Sequence, residues 1–512
     1  MRSILRSAAR RVADWEIFLV APAVALLAFT ASLPNALVVA AFVWIGLLWL
    51  ARWLARGQLT VRTPVDLPVL LLLALLPLNL YASADSVAAW RVLGRLVGEI
   101  AALYAVVNWV HPDILNRHAS AALARARRLN LAFIILGAGV ILLALLATNF
   151  SGGKILNLES LLNRLPRFIA PLLNSAGINA NLTGGLAAAL LPLALVQILW
   201  GANRWARLVG LFGALVLGGA VLVTQSRGAW LGVGGALVVI AIAFNRRAWL
   251  VLPFIALALG VAWNALGTER LVNFIAGGAT LDSGAGRIEI WQRAIYMLQD
   301  FPFTGAGLGN FGQVAKILYP FFTIGPDAEI PHAHNLFLQA AVDFGAPGAL
   351  AVIGFFTALS GAGLLSIQRA QDTAWRPLAV GLFAGLVVFL IHGLFDMIAF
   401  TLKTSALLYA SFGLLLAVAR SVSFSDARGA GMMRGAEMMR GAEMSLAPTD
   451  GTFAARLRAW FHRHAAALQT VLWWLLISLL AIGVMGEQVV WGMALLVLGG
   501  VAVGLQSLLR AL

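Results

Sequence analysis

The chain has 512 residues, of which 61% are hydrophobic and only 11% are charged, and its formal net charge is +15. So apolar a composition excludes a soluble globular domain and is typical of a polytopic membrane protein. The sequence contains no cysteine, which excludes disulfide bonds and thiolate catalysis.

Apolar runs close to the ~20 residues needed to cross a bilayer recur along the whole chain. We count about fourteen of them, at 17–32, 36–51, 66–81, 96–110, 129–148, 182–200, 208–225, 228–244, 248–266, 336–366, 377–398, 403–419, 467–484 and 488–510. Backbone groups in lipid need internal partners, so these runs predict an all-α, polytopic transmembrane helical bundle. We expect about twelve core helices within residues 1–420, a cytoplasmic linker over 421–466 that contains the repeat MMRGAEMMRGAEM, and a C-terminal helix pair over 467–512.

The positive charge collects in alternate loops, as expected when basic loops stay in the cytoplasm. These basic loops lie at 52–62, 117–128, 204–207, 246–247 and 369–376. The same alternation puts the turn 225–227 and the segment 267–333 outside, so that Arg227, Arg287 and His334 share the outer face. The pattern accounts for the net charge, and we expect no nucleic-acid partner.

Two outer segments are long enough to carry function. The first, 149–181, has leucines spaced as on one helix face and carries Lys154, Arg164 and Arg167. It predicts a helix lying in the membrane interface, or one that guides a lipid head group. The second, 267–333, predicts a large extracytoplasmic loop with helical structure.

The segment 267–333 combines an amphipathic helix with a glycine-rich turn. Its apolar face is predicted to carry Ile288, Trp291, Ile295 and Leu298, and Pro302 is expected to end the helix. The motif GAGLGNF that follows has the wrong spacing for a dinucleotide fingerprint, and no βαβ unit surrounds it. Its glycines indicate a sharp turn and a close backbone approach to a substrate or a helix end.

Arginines at the outer face are candidate anion ligands. Arg227 lies between two apolar runs and Arg287 begins the amphipathic helix. Snorkelling to lipid phosphates would account for the first, and an ordinary solvated position for the second. Their planar, bidentate donors are also suited to a pyrophosphate, whose departure from a sugar carbon requires stabilisation of charge.

Histidine supplies the complementary chemistry. His334 and Asn335 open a long apolar run, and an imidazole is the side chain that most often acts as a general base. A helix cap or an interfacial hydrogen bond is the alternative interpretation. His332, two residues away, makes only a weak metal site with His334 because no nearby carboxylate completes it. We therefore predict no metal and no cofactor.

Ionisable residues inside apolar runs need a partner or a wet cavity. His392 and Asp396 fall four residues apart on one face of the predicted helix 377–398, where they orient a substrate or bind each other. Asp343 is expected to hold a packing network, and Lys403 is a candidate phosphate ligand.

Four motifs in a fixed order resemble the O-antigen ligase/O-antigen polymerase family of bacterial membrane glycosyltransferases. They are SRGAWLG (226–232), GR followed by W (286–291), FPFTGAGLGNF (301–311) and HAHNLFLQAAVDFG (332–345). The resemblance covers roughly residues 15–420 and implies that Arg227, Arg287 and His334 correspond to the family's functional residues. The chain departs from the family in having Asp343 where a glutamate is common, and in its last two spans.

The resemblance implies that a glycan is moved from a polyprenyl diphosphate donor to an acceptor hydroxyl at the periplasmic side of the bacterial inner membrane. Neither nucleotide sugar nor metal would take part. On this hypothesis Arg227 and Arg287 hold the diphosphate with Arg293 or Lys403 as helper, His334 is the base of an inverting attack, and Asn335 fixes the imidazole or the sugar. His332, His392 and Asp396 are candidate supporting residues.

Several alternatives stay open at this stage. The acceptor is lipid A-core in a ligase, another lipid-linked repeat in a polymerase, or a protein. Outside enzymes, a lipid-linked glycan transporter or flippase would show two repeated halves with broken helices, and we find no such repeat. A structural scaffold would not explain arginines and histidine that share one side of the membrane.

Overall fold

The computed structural model of the chain describes residues 2–28, 35–111, 119–150, 164, 178–276, 284–371, 373–398, 405–438, 471–482, 484–485 and 488–511. In these residues the regular structure is helical, apart from two short parallel strands, Thr148–Asn149 (β1) and Ile178–Asn179 (β2). The helices are α1 Arg2–Asp14, α2 Glu16–Ala28, α3 Asn35–Arg56, α4 Asp66–Ala82, α5 Ser86–Val110, α6 Ala119–Leu145, α7 Ala180–Trp200, α8 Arg204–Thr224, α9 Arg227–Phe244, α10 Val251–Ala276, α11 Gly284–Asp300, α12 Phe311–Leu318, α13 Leu336–Arg369, α14 Arg376–Gly393, α15 Ser405–Met438, α16 Val471–Ile482 and α17 Val489–Ala511.

The predicted fold class is confirmed. Within the described residues, 10 helices are long and apolar enough to cross a membrane, and four shorter apolar helices accompany them at Glu16–Ala28, Asp66–Ala82, Arg227–Ala243 and Val471–Ile482. Each of these segments coincides with one of the predicted apolar runs. Helix α15 continues to Met438, so the first part of the predicted linker 421–466 is helical. The predicted interfacial helix over 149–181 falls almost wholly outside the described residues.

The basic loops meet at one end of the bundle. Arg376, at the start of α14, donates a hydrogen bond of 2.5 Å to the carbonyl of Ala243 at the end of α9. Arg369, at the end of α13, donates one of 2.7 Å to Ser423. Because α9 and α13 end there and α14 begins there, their other ends lie at the opposite side of the bundle. That side carries the candidate site.

Helix α13 is interrupted at Gly345, which has a φ of 69°. The break interrupts the helical hydrogen bonds around Gly345. The segment from Pro302 to Ala306 supplies new partners for the backbone groups there. The amide of Ala346 donates to the carbonyl of Pro302, and the amide of Ala306 donates to the carbonyl of Val342, both at 2.7 Å. The loop after α11 is thereby fastened to the first third of α13.

The glycine-rich turn of this loop contacts helices through its backbone. Gly305, Gly307 and Gly309 all have positive φ values. The amide of Gly309 donates to the buried carboxyl of Asp343 at 3.0 Å, and Asp343 also accepts a hydrogen bond of 2.9 Å from Gln339. The interpretation of the glycines as a device for close approach to a helix is confirmed, and Asp343 lies in the expected packing network.

Gly345→Ala is expected to destabilise the protein. An added Cβ would lie 2.5 Å from the backbone carbonyl of Phe303, and the positive φ strains any residue other than glycine. We expect a loss of at least about 1–3 kcal/mol, measured as a lower thermal unfolding midpoint in detergent. Gly234→Ala in α9 is the control, because nothing lies within 4 Å of its added Cβ. Equal midpoints for the two variants would contradict the proposed role of Gly345.

The C-terminal helices are part of the bundle. Helix α17 packs along α13, where Gly500 and Gly504 lie close against Ile353 and Gly354. The indole nitrogen of Trp474 in α16 donates to the carbonyl of Pro347 at 3.0 Å. The terminal pair therefore supports α13 just beyond its break.

Candidate active site

The local sequence places His334 immediately before α13. The side chain of Asn335 accepts hydrogen bonds of 3.0 Å from the amides of Phe337 and Leu338, so asparagine is the N-cap of the helix. Its amide group donates to the carbonyl of Leu394 at 3.0 Å. His334 itself has a φ of 49°, a left-handed conformation that is uncommon outside glycine and is found at functional sites. Asn335 thus anchors the backbone that carries His334.

His334 is paired with Asp396. The Nδ1 of His334 and the Oδ1 of Asp396 are 3.1 Å apart, and the same oxygen accepts from the amide of Met397 at 2.8 Å. Burial alone would raise the pKa of Asp396, but the neighbouring His334 and then Arg287 outweigh it and hold the pKa below its usual range. The ionised carboxylate therefore accepts a hydrogen bond from Nδ1, which leaves Nε2 as the nitrogen that can take a proton.

Arg287 contributes a buried positive charge to the same site. Its side chain is 3% exposed, and its Nη2 lies 4.0 Å from Oδ2 of Asp396. The buried apolar residues of α11 are Ile290, Ala294, Met297 and Leu298. Of the predicted apolar face only Leu298 is therefore buried, and Ile288, Trp291 and Ile295 are partly exposed. The solvated position that was the alternative for Arg287 is wrong, because the structure buries its guanidinium near the carboxylate of Asp396. The opposite charge of that carboxylate makes the burial tolerable.

His332 lies against His334. The two ring centroids are 4.2 Å apart, and the amide of His334 donates to Nδ1 of His332 at 3.3 Å. Burial is the main cause that lowers the pKa of His332, to about 3, so its ring is neutral. The expectation that no carboxylate accompanies the two histidines is wrong: Asp396, distant in sequence, is brought to them by the fold.

His392 and Asp396 do not share a helix. Helix α14 ends at Gly393, earlier than the predicted end at 398. Past Gly393 the chain forms a turn, in which the amides of Leu394 and Phe395 donate to carbonyls three residues earlier, those of Ile391 and His392. A hydrogen bond of 2.9 Å from the amide of Asp396 to the carbonyl of His392 still keeps the two residues close.

The start of α9 lies beside this segment. An added Cβ at Gly228 would lie 3.5 Å from the ring of His392 and 3.7 Å from Phe395. Arg227, which precedes Gly228, is partly exposed and begins the helix after a turn in which Gln225 has a φ of 52°. The fold thus brings together the chain neighbourhoods of Arg227, Arg287 and His334 around Asp396. Lys403 lies outside the described residues.

Arg293 has different neighbours from Arg287. Its Nη2 lies 3.2 Å from Glu289, and its guanidinium carbon lies 5.5 Å from the ring centroid of Phe322. These contacts join α11 to the loop after α12. The predicted helper role of Arg293 toward a diphosphate stays a prediction.

Glu289 is a residue that the sequence did not single out. Its carboxylate accepts hydrogen bonds from the consecutive amides of Phe322, Thr323 and Ile324, at 2.6, 2.9 and 3.3 Å. Burial raises the pKa of Glu289, but these three amides and Arg293 outweigh it and lower the pKa overall. The available signal was a carboxylate in the second turn of an amphipathic helix, which does not reveal its distant partners.

Glu289→Gln is expected to loosen the loop around Phe322. A neutral amide cannot accept these bonds with the strength of a carboxylate, and we expect a loss of about 1.5–3 kcal/mol, measured as a lower thermal midpoint. Because the folded pKa of Glu289 lies below its unfolded value, its contribution is complete above about pH 4.3 and is lost as the pH falls through the folded value. Glu329→Gln, at an exposed carboxylate of the same loop, is the control. An equal effect of both changes would contradict the assignment.

Fold and site together define a multi-pass helical membrane protein with a partly buried imidazole, a buried carboxylate and a buried guanidinium at the end of the bundle opposite its basic loops. Residues 212–353 match the sequence model of the family described as O-antigen ligase, which confirms the family resemblance over that segment. The matched segment contains Arg227, Arg287 and His334 and ends before Asp396. It supports membrane glycosyltransferase activity of the O-antigen ligase/polymerase type. No curated protein matches the chain.

Proposed function

We propose that the protein transfers a glycan from a polyprenyl diphosphate-linked donor to an acceptor hydroxyl at the periplasmic side of the bacterial inner membrane, with lipid A-core as acceptor. The observation that carries the proposal is the contact between His334 and Asp396, with Arg287 at the other carboxylate oxygen. An oriented imidazole next to a guanidinium supplies a base for the acceptor and a positive charge for the leaving group.

The proposed reaction is a single displacement. Nε2 of His334 takes the proton of the acceptor hydroxyl while that oxygen forms a bond to the anomeric carbon of the donor sugar. The bond between that carbon and the diphosphate oxygen breaks, and the polyprenyl diphosphate leaves with the bonding electrons. Attack from the face opposite the leaving group inverts the configuration. Asp396 holds Nδ1–H, so that Nε2 faces the acceptor, and stabilises the imidazolium.

We assign the binding of the leaving diphosphate to Arg287 and Arg227. Arg287 offers a planar, bidentate set of donors at the site, and Arg227 begins a helix whose first turn borders the same segment. The start of a helix favours negative charge. No protein-bound metal is needed in this scheme, because the charge on the leaving group is met by guanidinium groups.

The proposed periplasmic orientation follows from the basic end of the bundle. Arg376 and Arg369 lie where α9 ends, α13 ends and α14 begins. Basic loops remain in the cytoplasm, so the opposite end, with His334 and Asp396, faces the periplasm. A hydroxyl acceptor and a polyprenyl-linked donor presented at that leaflet can reach the site without crossing the membrane.

The test is transfer by purified protein in detergent or vesicles, with a defined polyprenyl diphosphate-linked glycan in the presence of a chelator. Lipid A-core and a second lipid-linked glycan are offered separately, and the products are analysed by mass spectrometry. Transfer to lipid A-core supports a ligase, and extension of the lipid-linked glycan supports a polymerase that uses the same site. Movement of intact donor across vesicles without a new glycosidic bond would overturn the proposal in favour of a transporter.

A further inference from the structure

His332, His334 and Asp396 form a constellation that the glycan transfer does not fully use. Each offers one ligand atom, and the three atoms lie within 4.8 Å of one another. His332 is 7% exposed and Asp396 is 3% exposed, while the side chain of His334 is 14% exposed. The three residues therefore form a small, mostly buried polar cluster with one accessible side.

Two imidazoles and one carboxylate are a ligand set that suits Zn²⁺ and related divalent transition ions. Ligand atoms around a tetrahedral zinc ion lie roughly 3.4 Å apart, at bond lengths of about 2.1 Å. Nδ1 of His334 and Oδ1 of Asp396 are already 3.1 Å apart. The three ligand atoms lie within 4.8 Å of one another, so ion binding requires them to move closer together. Three protein ligands leave further positions to water or substrate.

We propose that His332, His334 and Asp396 bind a divalent transition ion such as Zn²⁺, and that the bound ion inhibits glycan transfer. Coordination through Nε2 would occupy the lone pair that accepts the proton. Coordination through Nδ1 would replace the hydrogen bond to Asp396. Either mode disables His334 as a base, so the ion is an inhibitor of the site and takes no part in the transfer.

Arg287 limits the affinity of this site for a divalent ion. Its Nη2 lies 4.0 Å from Oδ2 of Asp396, and its positive charge opposes a second cation at the carboxylate. The site is therefore weaker than a closed structural zinc site with four protein ligands. The binding inference stands on geometry alone, whereas the inhibitory part rests on the proposed function.

Binding is tested with full-length protein purified without a polyhistidine tag. His462 and His464 repeat the same spacing in the predicted linker, so both are changed to alanine in the background chain. Zn²⁺ is titrated in competition with a fluorescent chelator. We expect one ion per chain, and His332→Ala should weaken binding by at least about tenfold. Unchanged affinity in a His332→Ala protein that elutes as a single folded species would overturn the site.

X-ray absorption of the Zn²⁺-loaded background chain provides a measurement that needs no variant at the site. We expect the scattering pattern of two imidazole ligands with additional oxygen ligands. A first shell of oxygen or of detergent-derived ligands without imidazole would also overturn the site, whatever the behaviour of His332→Ala.

Inhibition is measured in the transfer assay by titration with Zn²⁺ and reversal with chelator. Donor diphosphate also binds Zn²⁺, so the background chain and His332→Ala are compared at the same donor concentration. We expect a higher inhibitory concentration for the variant, in proportion to its weaker binding. Binding without inhibition would keep the ion site and overturn its inhibitory role. Transfer that survives His334→Ala would refute the proposed base while the binding result stands.

Discussion

His334→Ala is expected to lower kcat/KM for glycan transfer by about 10²–10⁴-fold, the range typical of a general base. The imidazole holds Nδ1 against Asp396 at 3.1 Å, so alanine removes both the proton acceptor and its oriented geometry. Donor binding should change less than turnover, because Arg287 and Arg227 are proposed to bind the diphosphate of the donor. The measurement is initial transfer rate over a range of donor and acceptor concentrations, in chelator.

The control for His334→Ala is His462→Ala, the same chemical change in the predicted cytoplasmic linker. Thermal unfolding of both variants in detergent separates catalytic loss from misfolding. If the His334→Ala protein is folded and transfers glycan at the rate of the unchanged chain, the imidazole is not the base. A loss that is confined to KM would instead assign His334 to substrate binding.

Arg287→Lys is expected to reduce transfer by about 10²–10³-fold, as when one preorganised donor to a developing negative charge is removed. Lysine keeps the charge but loses the planar pair of donors that matches a diphosphate. Its ammonium group would also sit differently toward Oδ2 of Asp396, which the guanidinium approaches to 4.0 Å. The same substitution at Arg227 should also cause a strong loss.

Arg91→Lys is the matched control, because Arg91 is an exposed arginine in α5. Transfer rates and binding of donor are measured for all three variants at two salt concentrations. Clamping of a diphosphate predicts a loss of both donor affinity and turnover at Arg287. Donor use in Arg287→Lys equal to that in Arg91→Lys would contradict the assignment.

The sequence by itself determined the transmembrane segments, and it predicted which residues form the site. Hydrophobic length is a local property, and a run of about twenty apolar residues is recognisable without knowledge of its neighbours. The basic loops likewise predict the side of the membrane, which is why Arg227, Arg287 and His334 were predicted to share one face. Local backbone preference also predicted that Gly305, Gly307 and Gly309 allow the loop to approach a helix closely.

Only the tertiary structure decided which groups touch. Asp396 follows His334 by 62 positions and lies beyond the end of its own helix, yet it is the residue that joins His334 to Arg287. Sequence spacing had offered His392 as its partner on a continuous helix. The burial of Arg287 beside Asp396, and the break at Gly345 beside Pro302, likewise depend on contacts between distant segments. Hydrophobic length marks a segment that can cross the membrane, whereas a contact between residues distant in sequence has no local signature.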